Sequence, residues 1–466
     1  MTESFLLYTL RRLPAKDRKA LQQLVRCDYF NRRPEVTRLC DYIAKGRELI
    51  PAKLFAAAFP DKDFDDRSLR HTMSYLLDVA RRYLALADFE SEEPAYRNAL
   101  CRSLRRRGLD EMLPFEWGRS DEVLARTSAR DARWHLHQYD LQQERVEAAA
   151  ARQRSAQIEL QPLHQHLTVF YLAEMLRHAC SALTHQAIGA KPYDAELLES
   201  VLRLAEQGDW LAEHPSVAMY YHLCLCLKEP LETAHFQSWK SVLAAHAGQF
   251  EPTELRGVYL LGINYCIRRM NSGQKEFARE AFELYRAGLA QNLLLEGGRM
   301  SGFSYKNIIR IGTVVGEHAW VQGFFEEYKP TLHPREREAI YRYNLAFLHF
   351  QNHDFAQAMP LLQRLELEDR LNLLDARRML VRSYYELGEH QALLSLLSSF
   401  TAYLRRQKDL GYHQDLNLNL LRFTRRLIET RPGDKLAAQK MVAEIQETER
   451  LAEKNWLLEK ARLLAR

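Results

Sequence analysis

Three turn-forming residues recur at equal distances in the second half of this chain. Gly316 and Gly388 are 72 positions apart, and Asn352 lies halfway between them. Glycine, followed by asparagine, best tolerates the left-handed backbone that ends a helix and lets the chain reverse. We therefore predict that each of these residues caps the first helix of a helix pair, and that pairs repeat about every 36 residues.

The composition favours helices joined by short loops. The 466 residues include only 19 Gly and 15 Pro, whereas these two types together usually make up roughly 12% of a protein. Apolar residues at 47% and charged residues at 27% are typical of globular chains. Because helix breakers are scarce, we predict an all-α fold.

Apolar residues with a helical period recur in paired segments from about residue 194 onward. Clear examples are "YKNIIRIGTVV" with "AWVQGFFEEYK", "YRYNLAFLHF" with "FAQAMPLLQRL", and "ARRMLVRSYYEL" with "QALLSLLSSFTAYL". The corresponding positions of the first helices are Leu223, Leu261, Ile308, Leu345 and Leu380. One helix pair cannot bury its apolar face alone, so neighbouring pairs are expected to stack.

These repeats resemble tetratricopeptide repeats, whose unit is a helix–turn–helix of about 34 residues. The best match is "NLAFLHFQNHDFAQAMPLL", where Leu345–Ala346 stands for the family's Leu-Gly and is followed by Asp354–Phe355 and Ala358. The resemblance covers roughly residues 215–405 and implies an α-solenoid with a concave peptide groove. In "CDYFNRRPEVTRL" and "LDARRMLVRSYYELGE" the chain also resembles an uncharacterised bacterial family of helical-repeat proteins, which implies a fold and no known active site.

Changes in the pattern divide the chain into four predicted regions. They are an N-terminal helical region at 1–112, a long helical hairpin at 113–192, tetratricopeptide-like repeats at 193–410, and C-terminal helices at 411–466. Residues 113–120 contain Pro114 and Gly118 and are predicted to form a loop before a long polar helix.

The 36-residue register also aligns cations on the first helices of the pairs. Lys306, Arg342 and Arg378 are spaced 36 apart, and Arg310 and Arg382 follow one helical turn later. These positions lie opposite the apolar ones, so we expect them to face solvent. The predicted partner-binding residues are Lys306, Arg310, Arg342, Tyr343, Arg378, Arg382 and Tyr385.

A column of cations would attract carboxylates or phosphates. The alternative is an ordinary solvated face, since surface arginine is common. The sequence predicts a non-catalytic protein-interaction scaffold that recognises an acidic or carboxylate-bearing peptide in the concave groove of its repeats.

The N-terminal segment suggests a second function. Residues 1–50 hold 11 Lys or Arg against 6 Asp or Glu and account for the whole net charge of +5. A basic segment of this kind fits a nucleic-acid-associated protein. Over the rest of the chain the charges balance, which is unlike a dedicated nucleic-acid binder.

Motifs for metals, cofactors and catalysis are weak. Asp61, Asp63 and Asp65 alternate as in a calcium loop, but the required glycine and glutamate are missing, so an acidic helix cap is the better interpretation. His349 and His353 have metal-ligand spacing without a third ligand. The Gly-rich stretch 296–307 lacks Gly-Lys-Ser/Thr, and we expect helix termination at Gly297 and Gly298 with a new cap at Ser304. No cofactor and no enzymatic activity are predicted.

The cysteines and the apolar runs indicate the compartment. Seven cysteines without a Cys-x-x-Cys pair predict reduced thiols. No run approaches the ~20 apolar residues of a membrane span. We therefore expect a cytoplasmic protein with no membrane partner.

Overall fold

The protein is all-α, as predicted. The computed structural model describes residues 4–46, 48–152, 159–188, 197–365, 369–407, 410, 412–431 and 433–464. Within these ranges the β-structure consists of one two-stranded hairpin. In the same ranges no helix is both long enough and apolar enough to cross a bilayer. The chain divides into unit 1, Met1–Lys228 with Glu232–Glu251, and unit 2, Glu229–Leu231 with Pro252–Arg466.

Unit 1 is built from thirteen of the described helices. They are α1 (Phe5–Arg12), α2 (Ala15–Val25), α3 (Pro34–Ala44), α4 (Pro51–Ala58), α5 (Asp66–Ser91), α6 (Glu93–Arg106), α7 (Leu113–Arg126), α8 (Ala132–Arg152), α9 (Gln161–Ile188), α10 (Leu198–Glu206), α11 (Trp210–Glu213), α12 (Pro215–Lys228) and α13 (Ala234–His246), with single 3₁₀ turns at Asp110–Met112 and Ala247–Gln249. Helices α1 to α5 enclose one apolar core that includes Leu21, Val36 and Leu76.

Two expectations for unit 1 had different outcomes. The acidic helix cap is confirmed, because the Asp65 carboxylate accepts the backbone N–H groups of Arg67 and Ser68 at 3.1 Å each. The loop predicted at 113–120 is wrong, since these residues form the start of α7. Pro114 lies in the first turn of that helix, where a missing N–H group costs no hydrogen bond.

Unit 2 contains the helix pairs that carry the predicted cations. Its helices are α14 (Pro252–Asn271), α15 (Phe277–Ala290), α16 (Gly302–Val314), α17 (His318–Glu327), α18 (Arg337–Gln351), α19 (Phe355–Gln363), α20 (Arg370–Glu386), α21 (His390–Arg406), α22 (Tyr412–Glu429), α23 (Lys435–Glu447) and α24 (Lys454–Leu464), with a 3₁₀ turn at Lys329–Thr331. Consecutive helices pack as pairs from α14/α15 to α20/α21. The first helices also touch, α16 against α18 and α18 against α20.

The turns within the pairs share one geometry, with a one-residue shift in the middle pair. Gly316 and Gly388 have the predicted left-handed backbone, with φ of 83° and 74°. In the middle pair the left-handed residue is His353, at φ 58°, and not Asn352, which has φ −81°. In all three turns the next N–H group donates to the carbonyl five residues earlier, at 2.9, 2.8 and 2.9 Å along the chain. Histidine is also enriched in the left-handed conformation. The position at which α18 ends therefore decides which residue adopts it, even though asparagine precedes that residue.

The Gly-rich stretch forms a hairpin. Strand β1 (Leu295–Glu296) pairs antiparallel with β2 (Arg299–Met300). Gly297 and Gly298 form the turn, both with positive φ, as a tight hairpin requires. The expected helix cap at Ser304 is wrong: Ser301 caps α16, and its hydroxyl accepts the Ser304 N–H at 3.1 Å.

The close contact of α16 with α17 generates a stability prediction. A Cβ atom on Gly312 would lie 2.5 Å from Val321 Cγ2 and 3.2 Å from Phe282 Cε2. Both neighbours are buried, so we expect Gly312→Ala to lower the free energy of unfolding of unit 2 by roughly 1–3 kcal/mol, measured by urea denaturation. Gly323→Ala in α17 is the control, because a Cβ there meets nothing within 4 Å. A stabilised Gly312→Ala variant would contradict this packing.

Candidate functional site

Three side chains from α16, α18 and α20 converge on the carboxylate of Asp375. The Arg310 guanidinium donates to Asp375 Oδ2 and, at 2.6 Å, to the Tyr343 hydroxyl. The Tyr343 hydroxyl in turn donates to Asp375 Oδ2. Arg378, one turn after Asp375 on the same helix, donates to Asp375 Oδ1 at 2.8 Å. The contacts between first helices therefore bring three of the predicted residues around one acid.

Lys306 lies beside this group without contacting the carboxylate. Its ammonium group donates to the Asn372 side-chain oxygen at 2.5 Å. The pKa of Lys306 is lowered by its burial and by the positive charge of Arg310. Asp375 and Asp369 oppose this shift without reversing it. We name Lys306, Arg310, Tyr343, Asp375 and Arg378 the Asp375 cluster.

The pKa values of Asp375 and Tyr343 are both shifted away from neutral pH. Burial would raise the pKa of Asp375, but the charges of Arg310 and Arg378 and two hydrogen bonds outweigh it and hold that pKa below its usual value. Burial and the neighbouring carboxylate raise the pKa of the Tyr343 hydroxyl. Asp375 is therefore a carboxylate and Tyr343 a neutral phenol across the physiological range.

Arg382 and Tyr385, the other two predicted residues of α20, contact the C-terminal helices. Arg382 donates to the Glu453 carboxylate at 2.7 Å, and its guanidinium lies 4.7 Å from the ring of Phe350. The Tyr385 ring packs edge-on against Trp456 at 5.3 Å. These two residues therefore have intramolecular partners that are separate from the Asp375 cluster.

Among the predicted cations, Arg342 best matches the expectation that these residues face solvent. It is exposed and makes no hydrogen bond or ion pair within the described residues. The other members differ from that expectation. Arg310, Arg378 and Arg382 have side chains only 31%, 24% and 20% exposed, and Tyr343 is buried. The reason is that the first helices pack against each other, so much of this face lies between helices.

The sequence pattern missed the acid that organises the cluster. Asp375 lies three residues before Arg378 in "LLDARRML", a spacing that places the two on one helix face. Glu453 and Trp456 were also missed, and no local pattern marks them. The available signal was Asp375 itself, one acid close to the aligned basic residues of α20.

The weak motifs acquire no metal geometry in the structure. Within the described ranges, no group of three or more His, Cys, Asp or Glu side chains is arranged to hold a metal ion. His349 lies on α18 with Nδ1 3.2 Å from Asp354 Oδ2. His353 provides the left-handed turn residue that follows the same helix.

The N-terminal helices present exposed tyrosine among arginines. Tyr29 is 84% exposed and lies between α2 and α3, three residues before Arg32 and four before Arg33. The Arg12 guanidinium stacks 3.7 Å from the ring of Tyr8, which is 48% exposed. Aromatic faces beside arginines are the combination that single-stranded nucleic acids bind.

Comparison with known proteins gives no relative: no family model, no curated protein and no solved structure matches the chain. Its function is therefore inferred from its own geometry, chiefly that of the Asp375 cluster.

The Asp375 pairings generate a stability prediction. Asp375→Asn leaves Arg310 and Arg378 without a counter-charge, and we expect a loss of roughly 1–3 kcal/mol in unfolding free energy at neutral pH. Because the folded-state pKa is depressed, the carboxylate stabilises the fold above its ordinary pKa of 3.8, and this contribution is lost as pH falls through the lower folded-state pKa. Measured by urea denaturation, the difference in unfolding free energy between wild type and Asp375→Asn is expected to become smaller as the pH is lowered.

Asp415→Asn is the matched control for this prediction. Asp415 pairs with Arg450 at 2.9 Å, but both side chains are more than half exposed. An exposed pair of this kind contributes little, so a change below about 1 kcal/mol is expected. Equal losses in the two variants would contradict the special role of Asp375.

Proposed function

We propose that this chain is a non-catalytic scaffold that recognises an acidic or carboxylate-bearing peptide. In this proposal the helix pairs of unit 2 form a tetratricopeptide-like α-solenoid, whose first helices line the peptide groove. The contacts of α16 with α18 and of α18 with α20 support such an arrangement, because first helices meet in the same way in stacked helix pairs.

The observation that carries the proposal is the charge of the Asp375 cluster. Lys306, Arg310 and Arg378 contribute three positive charges, and Asp375 returns one negative charge. Partial burial strengthens the field of the remaining positive charge relative to bulk water. An anionic group of a partner would compensate the remaining positive charge. It would accept hydrogen bonds from charged donors, which are stronger than hydrogen bonds between neutral groups.

The members of the predicted site take different parts in this proposal. Lys306, Arg310 and Arg378 would bind the carboxylate of the peptide, with Tyr343 positioning Arg310. Arg342 is exposed and is available to acidic side chains. Arg382 and Tyr385 contribute less, because Glu453 and Trp456 already contact them.

The protonation states support binding over catalysis. A general acid or base works best with a pKa near the operating pH. The pKa of Asp375 is lowered and that of Tyr343 is raised, so both move away from neutrality. Asp375 therefore keeps a fixed charge and Tyr343 stays neutral, so neither is suited to proton transfer near neutral pH.

We place the scaffold in the cytoplasm. All seven cysteines are free, and all except Cys27 are buried. Free thiols at every cysteine position are typical of a reducing compartment.

Peptide binding tests the proposed function. An acidic peptide with a free terminal carboxylate is titrated against the protein by fluorescence anisotropy. We expect Arg378→Gln and Lys306→Gln each to weaken binding roughly tenfold, the usual scale for hydrogen bonds to charged groups. Arg377→Gln is the control, since its guanidinium stacks on Tyr403 at 4.1 Å and not on Asp375.

The outcomes of that titration are distinct. Binding that is lost in the two cluster variants and kept in Arg377→Gln supports the proposal, provided thermal melting shows folded proteins. Failure of the wild-type protein to bind acidic peptides, or equal weakening in all three variants, rejects it.

Nucleic-acid binding by the N-terminal helices is the second candidate, favoured by the exposed Tyr29, which lies close in sequence to Arg32 and Arg33. If it is correct, single-stranded nucleic acid shifts in a gel, and its affinity falls steeply as salt rises. Tyr29→Ala is expected to weaken this binding by about 1–3 kcal/mol. Phe115→Ala, at another exposed aromatic residue beside an arginine, is the control and should leave it unchanged. Binding unaffected by salt or by Tyr29→Ala rejects this alternative.

A further inference from the structure

The donors of the Asp375 cluster are not exhausted by its internal bonds. Arg310 and Arg378 each use one terminal nitrogen, Nη2, toward Asp375 or Tyr343. The Nε atoms of both arginines are buried without a hydrogen-bond partner among the described residues. Lys306 gives one hydrogen bond to Asn372 and has three N–H groups. Three side chains from two helices therefore retain donor capacity in one place.

The charge of the cluster is also incompletely compensated. Asp375 forms ion pairs with Arg310 and Arg378, whereas Lys306 has only the neutral Asn372 oxygen. Asp369, the other acid that acts on Lys306, caps the N-terminus of α20, and its carboxylate accepts the Asn372 N–H at 2.7 Å. Within the described residues, Asp369 forms no ion pair with Lys306 or either arginine. A surplus of two positive charges remains among the groups in contact.

A ligand that matches this surplus is a dianion with several acceptor oxygens. A carboxylate brings one negative charge, so one cation would stay uncompensated at a partly buried site. A phosphate monoester brings ≈ −1.5 to −2 charges at pH 7 and three strong acceptor oxygens, enough for three cationic side chains. Arginine is also well suited to phosphate because its planar fork donates two parallel bonds.

We propose that Lys306, Arg310 and Arg378 bind the phosphoryl group of a phosphorylated peptide. This rests on the proposed function, since it assumes that the site receives a peptide, and it identifies the chemistry of the group that enters. Asp375 pairs with both guanidinium groups and Tyr343 accepts a hydrogen bond from Arg310, so these cations are ordered before the ligand arrives.

Three short alanine–glutamate peptides test the proposal, with phosphoserine, glutamate or serine at the centre and amidated ends. Their affinities are measured by calorimetry at constant ionic strength, with inorganic phosphate as a fourth probe. We expect the phosphoserine peptide to bind at least roughly tenfold more tightly than the glutamate peptide. Arg378→Gln and Lys306→Gln each remove most of that difference, whereas Arg377→Gln preserves it.

The pH profile gives a second measurement. The second pKa of a phosphate monoester is near 6, so affinity for the phosphoserine peptide rises between about pH 5.5 and 7.5. Glutamate is already ionised in this range, so its peptide provides the baseline. The pKa of nearby His413 is lowered by burial and by Arg378, and its effect is common to both peptides.

Each outcome decides between the two proposals. If the glutamate peptide binds as well as the phosphoserine peptide and both depend on Arg378, the phosphoryl proposal is rejected and the proposed function stands. If inorganic phosphate binds as tightly as the phosphoserine peptide, the site takes a free anion and the peptide ligand is rejected. If no peptide binds the folded wild-type protein, both proposals are rejected.

Discussion

Packing of aromatic side chains between consecutive helix pairs is the interaction on which the rest of unit 2 depends. The ring of Phe282 on α15 meets Trp320 on α17 edge-on at 5.0 Å. The buried Tyr305 of α16 donates its hydroxyl hydrogen to the Phe325 carbonyl of α17 at 2.6 Å. The first contact holds α17 against α15 and the second holds α16 against α17, while the burial of Phe282 and Tyr305 adds to the dominant favourable term in folding. The other side of α16 is then free to meet α18 and α20, and this is where Arg310 reaches Tyr343 and Asp375.

The charged cluster depends on this apolar frame more than it stabilises it. Buried ion pairs contribute little net stability, because the loss of hydration offsets much of the attraction. A fold can keep three cations near one acid only where packing elsewhere supplies enough folding free energy. A site of fixed charge on a rigid helical support gains its affinity from preorganisation, since little side-chain freedom remains to be lost on binding.

Much of the fold could be predicted from local patterns. The helix pairs, the left-handed Gly316 and Gly388 and the Asp65 cap each follow from a few neighbouring residues. The errors at 113–120 and at Asn352 have a common physical origin. Proline and asparagine permit a loop or turn, but the place where a helix ends is decided by packing along its whole length.

The candidate site was predictable only in part. The 36-residue register placed Lys306 and Arg378 at equivalent positions of first helices two repeats apart, and the structure brings both near Asp375. It did not show that Tyr343 is buried or that Arg342 stands apart. A register assigns residues to helices but not the rotation of each helix about its axis, and that rotation decides which side chains meet.

The pairing of α20 with α24 has a consequence for biosynthesis. Glu386 of α20 accepts the Trp456 indole N–H at 2.7 Å and the Lys460 ammonium at 2.8 Å, and Arg382 pairs with Glu453. These partners are some 70 residues apart along the chain. While the ribosome is still translating that interval, α20 has its upstream neighbours but not its downstream ones. In a nascent chain Arg382 and Glu386 therefore lack these partners until Glu453 and α24 have emerged from the ribosome.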